Sequence, residues 1–391
     1  MKKKALAAII IAVGILAGCG QQETNSDPIQ DFAPETIPTQ TESQPTTAID
    51  EAPKEFKVIT ERTIVDGKMQ SYLTGEWKDA DVVQRRNMAV MIPNNKPALP
   101  QYGVSYASII YEAPMESGTC TRLMGIFEDY DDLERIGPVR SARDYFMFEA
   151  MSFDSIYCNW GLAVPYVAPV INTDKVDNVS QAVQYIDSPS SEAFERVSRG
   201  QGYATEFTGY LFIDGYEKAV KRHKYETEYT NRFDQAFTFA DEGCTAEYAD
   251  YPDATVIKPG GDAKASGGYH HTNPVFEYNK TDGLYYRSQL GAPQADECNQ
   301  EQLAVSNVIF KVCNGNARDD HGYLEFDVFG QGDAYVFTNG KVIKGTWSRD
   351  RNGDYNPTIY KDEKGEEIVM NQGKTWVCII WADYEDCISY K

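Results

Sequence analysis

From Pro274 onward the chain is punctuated by Xaa-Gly pairs set between aromatic and β-branched runs. PVFEYNKTDGLYYRSQ carries Asp282-Gly283, DAYVFTNGKVIKGTW carries Asn339-Gly340, and TIYKDEKGEEIVM carries Lys364-Gly365. Such pairs supply the positive φ that tight hairpin turns require, Asn-Gly most strongly. A helical period is almost absent across this stretch. The pattern therefore restricts the second half to successive β-hairpins, with KTWVCIIW as the closing strand. A β-rich C-terminal domain is expected over residues 241–391, its strands beginning near Ala254.

The first half is written differently. MAVMIPN, ASIIYEAP, TRLMGIFED and DSIYCNWG are short runs bounded by Asn, Pro, Gly or Asp. Several are apolar on both alternating faces, the mark of strands covered on both sides. Helical pieces separate and follow them. SARDYFMFEAM offers Ser141 as an N-cap with Asp144 three residues on, an acidic form of the capping box. SSEAFERVSRG reads as a short helix closed by Gly200, and DGYEKAVKRHKYE as another begun at Asp214. The fold class is thus α+β: a mixed αβ N-terminal domain over residues 57–240, then the hairpin-built domain. The joint is expected at FADEGCTAEYADYPDA, which is acidic and lacks apolar periodicity. The stretch PGGDAKASGG lacks the Gly-Lys-Ser/Thr ending of a phosphate loop and reads as an inter-strand loop.

Ahead of both domains stands MKKKALAAIIIAVGILAGCG. Three lysines precede an apolar run too short for a membrane span of about 20 residues but suited to a signal peptide over residues 1–18. Leu16-Ala17-Gly18-Cys19 resembles a bacterial lipobox, which makes Cys19 the expected lipidation site. Residues 19–56 are rich in Gln, Thr, Glu, Pro and Ser and read as a disordered tether. About 36 such residues reach roughly 30–36 Å. Partners follow from this and from charge. A lipid anchor points to the membrane, on its extracytoplasmic face. A net charge of −22, from 59 acidic against 37 basic residues, argues against nucleic acid, whose binders need a basic surface. With four histidines and no CxxC, neither a metal nor another cofactor is expected.

Several long motifs, in order, resemble the YerB-type bacterial lipoproteins. MAVMIPNNKPALPQYGVSYASIIYEAPMESGTCTRLMGIFED with RIGPVRSARDYF is similar to their N-terminal domain. GLYYRSQLGAPQADECNQEQLAVSNVIFKV, YVFTNGKVIKGTW and GEEIVMNQGKTWVCII are similar to their C-terminal domain. The resemblance implies a two-domain, lipid-anchored envelope protein and supplies no reaction, since both domains are of unknown function. One departure is that GYATEFTGYLF stands where relatives often carry Pro-His-Asn.

The candidate chemistry is sparse. Glu112 and Glu116 flank a turn, and Asp129 ends the next strand; a carboxylate pair of this kind can serve as acid and base in glycoside hydrolysis. The alternative is that they pair with Arg122, Arg135, Arg140 or Arg143. Ser141 sits in VRSAR, not in a nucleophile elbow. Cys120 and Cys158 lie in apolar strand patterns that suit buried thiols. Asn159 and Trp160 close a strand, where a ligand cleft or core packing are both open. Arg135, Arg140, Ser141 and Arg143 form a basic turn beside an expected helix N-terminus, suited to an anion. That anion is either an internal carboxylate or an acidic envelope ligand. The main reading is a non-catalytic binding or accessory protein whose ligand or protein partner the sequence does not name. The alternative is a cell-wall hydrolase or other carbohydrate-active enzyme using the two glutamates.

Overall fold

The apolar runs of the first half and the strands of the second meet in one ten-stranded sheet. The computed structural model describes residues 56–200 and 202–391, so the expected signal segment, Cys19 and nearly all of the tether lie outside the described residues. In chain order the strands are β1 (Met88–Pro93), β2 (Ile109–Pro114), β3 (Thr121–Phe127), β4 (Ile156–Trp160) and β5 (Asn178–Gln181). The second half adds β6 (Asn307–Cys313), β7 (Gly330–Thr338), β8 (Lys341–Arg349), β9 (Ile359–Asp362) and β10 (Thr375–Trp381). Across the sheet their order is β9-β8-β7-β6-β10-β2-β3-β1-β4-β5. Strands β6, β10, β2, β1, β4 and β5 share one direction, with β3 inserted antiparallel between β2 and β1.

Every residue of β1, β2, β3 and β6 is buried, and so is every residue of β10 except Trp381, which is half-buried. The reason is a core on each face, which is what continuous apolar runs require. On one face Tyr111, Met124 and Tyr157 pack with helices α1 (Asp144–Met151) and α2 (Val164–Ile171). On the other, Ile110, Leu123 and Cys158 pack with α3 (Ile213–His223) and with a second sheet built around Val275–Asn279 and Leu284–Gln289. The architecture is α+β, with few helices and a β-rich C-terminal half.

The turns at Asp282-Gly283 and Asn339-Gly340 close hairpins as expected. Lys364-Gly365 turns the chain from Asp362 back to Glu366. KTWVCIIW departs from the hairpin series. As β10 it runs parallel between β6 and β2 and joins the two halves of the chain. An apolar strand buried from Thr375 to Ile380 needs partners on both edges and cover on both faces, which hairpins alone do not supply. Strands from both sides of the boundary expected at residues 240–241 thus pair in one sheet, and the described residues from Phe56 onward form one compact unit.

Two helix expectations are corrected. SSEAFERVSRG holds only a short turn at Ser191–Ala193, then a strand, Phe194–Arg196, paired with Gly209–Phe212. Phe194 packs edge-on against Trp160, and this tertiary contact outweighs local propensity. Ser141 does not cap α1: the helix begins at Asp144, with Arg143 in the cap position and no side-chain cap bond. The Ala142 N–H donates to the Gly161 carbonyl at 2.9 Å and its carbonyl accepts from Ala163 at 3.2 Å. That bridge holds residue 142 extended and keeps Ser141 ahead of the first helical turn.

Candidate functional site

The shared direction of six strands brings their carboxyl ends to one edge of the sheet. In open αβ sheets this edge is where ligands bind, because loops there can vary without disturbing the strands. Pro93, Pro114, Trp160, Gln181, Cys313 and Trp381 end their strands here, and β3, running the other way, begins here at Thr121 and Arg122. The basic turn, the Glu116 turn and the start of α1 all lie at this edge.

Within an acidic chain the edge is rich in arginine. Arg143, 6% exposed, pairs with Glu116 and lies over the Tyr323 ring at 5.1 Å. Arg140 pairs with Glu206 at 3.5 Å and lies over Phe207 at 5.3 Å. Arg318 bridges Asp144 at 2.7 Å and Glu325 at 2.8 Å. Burial pushes the pKa of the Asp144 carboxylate up, against the pull of the Arg318 guanidinium that pairs with it.

Arg122 is the exception among them. It is 7% exposed, and its Nη1 donates to the Ser141 carbonyl at 2.6 Å. No carboxylate among the described residues forms an ion pair with it. Burial, and after it the Arg140 charge, lower its pKa to about 10. On the same face of the sheet the fully buried Tyr157 hydroxyl makes no hydrogen bond of normal geometry, although the Arg143 backbone acts on it. Burial raises the pKa of Tyr157 and of its neighbour Tyr145, so both hydroxyls stay protonated donors. Three guanidinium groups and one spare hydroxyl form an arrangement that can hold an anion.

Glu112 is placed elsewhere, on the opposite face, and it is 0% exposed. Its oxygens accept from Asn94 (2.9 Å), Thr121 (2.7 Å), the Arg287 guanidinium (2.9 Å) and the Trp376 indole (3.1 Å). Every acceptor position is used, and the carboxylate is closed off from solvent. Glu112 and Glu116 are not brought together as a catalytic pair. Arg287, the true partner of Glu112, carries no local signal in sequence, because 175 residues separate them.

The other candidates divide. Arg135 does not join the arginine edge: it stacks on Tyr102 at 4.4 Å and pairs with the exposed Glu134. Asp129 is exposed and makes no ion pair among the described residues. Asn159 is buried, donating to the Gly161 carbonyl at 2.7 Å and accepting from Ser180 at 2.7 Å. Trp160 is half-buried, with the Arg196 guanidinium 4.5 Å over its ring. It forms a wall of the edge and packs on the core at once. Cys158 is a buried thiol, its pKa raised by burial, whereas Cys120 is half-buried beside the edge.

Two family models match along this chain. The N-terminal domain of the proteins of unknown function DUF3048 matches residues 73–229, and the C-terminal domain of the same proteins matches residues 265–377. The chain belongs to this family. A Bacillus subtilis (strain 168) protein named "Putative lipoprotein YerB" is 26% identical over 315 residues, 80% of this chain and 86% of that protein. The crystal structure of YerB from Bacillus subtilis superposes with a TM-score of 0.65 at 24% identity, covering 82% of this chain and 99% of that one. In this chain the part matched by the N-terminal model contains Arg122, Arg140 and Arg143. The part matched by the C-terminal model contains Arg287 and Arg318, so the edge and the buried Glu112–Arg287 cluster both draw on the two matched parts together.

Proposed function

We propose that the protein is a lipid-anchored, extracytoplasmic protein of the cell envelope that binds an acidic envelope ligand at the arginine edge and performs no catalysis. Three features support the anchor: the lipobox at Cys19, the polar tether after it, and a relative that carries the word lipoprotein in its name. One observation carries the binding role. Arg122 is nearly buried, has no carboxylate partner, and has its pKa lowered by burial and by Arg140. A buried cation is costly unless something pairs with it, and a ligand anion would supply the missing charge. The hydrolase reading finds no such support, since both oxygens of Glu112 are taken up by fixed donors.

Thermal unfolding of residues 53–391 tests the binding role, with citrate or phosphate compared against sodium chloride at equal ionic strength. Citrate should raise the melting temperature of the wild type but not of Arg122→Gln. An equal response in both proteins would refute the edge as the site. The anchor is tested separately: Cys19→Ala should leave the membrane fraction, and retention there with acylated mass would refute it.

A further inference from the structure

At the opposite, amino-terminal edge of the sheet a cavity opens between α3 and the segment leading into β1. It has a volume of about 500 Å³, within the roughly 300–1,000 Å³ of small-molecule sites. Its walls are Tyr130, Ile156, Tyr216 and Val220, all buried and largely apolar. Tyr130 and Tyr216 meet edge to face at 5.8 Å, which fixes two flat walls.

The rim is basic. Arg85, Lys221 and Lys224 stand on it, against one acid, Glu217. Arg85 is held in place: its guanidinium lies 4.0 Å over the Tyr130 ring, and its Nη1 binds Asp131 at 2.6 Å. Its Nε is buried without a partner. Lys221 and Lys224 have no ion pair among the described residues. Lys224 takes a left-handed conformation at the end of α3 and turns the chain into Tyr225, another lining residue. Cations in a last helical turn partly serve the helix dipole. That role accounts for basic residues there. It does not account for an apolar cavity opening beneath them in a chain of net charge −22.

We infer that this cavity is a binding site for a small amphipathic anion, an apolar body carrying one carboxylate or phosphate head. The tyrosines, Ile156 and Val220 take the body, and Lys221 and Lys224 take the head, with Arg85 beside them already paired to Asp131. The site is independent of the arginine edge. Arg86 also lines it but is already committed, to Asp154 at 3.2 Å and Asp177 at 2.7 Å.

Calorimetric titration of residues 53–391 with octyl phosphate, octanol and inorganic phosphate tests this. Octyl phosphate should bind with one-to-one stoichiometry and more tightly than octanol, and inorganic phosphate should not displace it. Lys221→Gln with Lys224→Gln should weaken octyl phosphate about tenfold, two rim charges at roughly 0.7 kcal/mol each, and leave octanol unchanged. Val220→Trp should fill the cavity and abolish both. Arg122→Gln should alter neither, so failure at this site is distinguishable from failure at the edge. The inference is overturned if octanol binds as well as octyl phosphate, or if the lysine variant behaves as wild type. Binding to phosphatidylglycerol vesicles with none to monomeric octyl phosphate would also overturn it, as the mark of a membrane-facing patch instead.

Discussion

Glu112 and Arg122 stand one register step apart on adjacent strands: Glu112 lies opposite Leu123, and Ala113 opposite Arg122. Their side chains point to opposite faces of the sheet and meet opposite treatment. Glu112 sits among four donors, with the guanidinium of Arg287 and the indole of Trp376 fixed by the core around them. Arg122 has one backbone carbonyl and no opposite charge. A buried charge with all its bonds made is a structural knot. A nearly buried charge lacking its counter-ion marks a place where one can enter. The two charges arise from similar strands, so the difference comes from what the second half of the chain brings to each face.

Breaking the knot should have the largest effect. Arg287→Met leaves Glu112 buried and uncompensated and should cost about 3–5 kcal/mol in urea denaturation. Loss of less than about 1 kcal/mol would mean that the Asn94, Thr121 and Trp376 donors suffice without the cation. Trp376→Phe keeps the packing but removes the indole donor to the carboxylate. It should cost about 1.5–3 kcal/mol, the range for a hydrogen bond to a charged group.

Arg122→Met should behave in the opposite sense. It removes an unpaired cation and one hydrogen bond, and without added anions it should leave stability unchanged or raise it by about 1 kcal/mol. A loss approaching that of Arg287→Met would erase the distinction between the two sites. The pH dependence carries a sign. The folded pKa of Arg122 is about 10, below its ordinary 12.5. The folded state therefore binds fewer protons than the unfolded one between these values, and the cost of burying the charge fades as pH rises through that window. Below pH 10 the cost is fully present. The advantage of Arg122→Met over wild type should accordingly hold steady up to about pH 10 and shrink between pH 10 and pH 12, measured by urea denaturation at each pH.

Some of this contrast was legible in the sequence. A charge opening the otherwise apolar TRLMGIF was visible, and so was the density of arginine in RIGPVRSAR. The doubly apolar runs gave the buried strands, and Asn339-Gly340 gave its hairpin. What failed was long-range. The spacing from Ser141 to Asp144 fits a capping box, but the bridge from Ala142 to Gly161 that displaces the helix start depends on a strand end about twenty residues on. The partner of Glu112 lies in the other domain, and β10 reads as a closing hairpin strand until its parallel neighbours are known. Local patterns specify turns and burial. Parallel pairing, and with it the edge where the arginines gather, is fixed by contacts with no sequence-local trace.

The smallest expected change in stability tests the edge most sharply. Glu116 already pairs with Arg143, so it acts as an internal counter-ion at the rim of the proposed site. Its side chain is 28% exposed, and a pair this open to water contributes about 1 kcal/mol or less. Glu116→Gln should therefore barely move the urea midpoint. It should enlarge the thermal stabilisation by citrate, because Arg143 is then released to join Arg122 and Arg140 around the ligand, and the gain should weaken as sodium chloride rises. A citrate response that stays at the wild-type size would mean that Arg143 is committed to packing over Tyr323 and takes no part in binding. The site would then shrink to Arg122 and Arg140. A response that falls would mean that Glu116 holds Arg143 in position, and its role would be orientation and not competition.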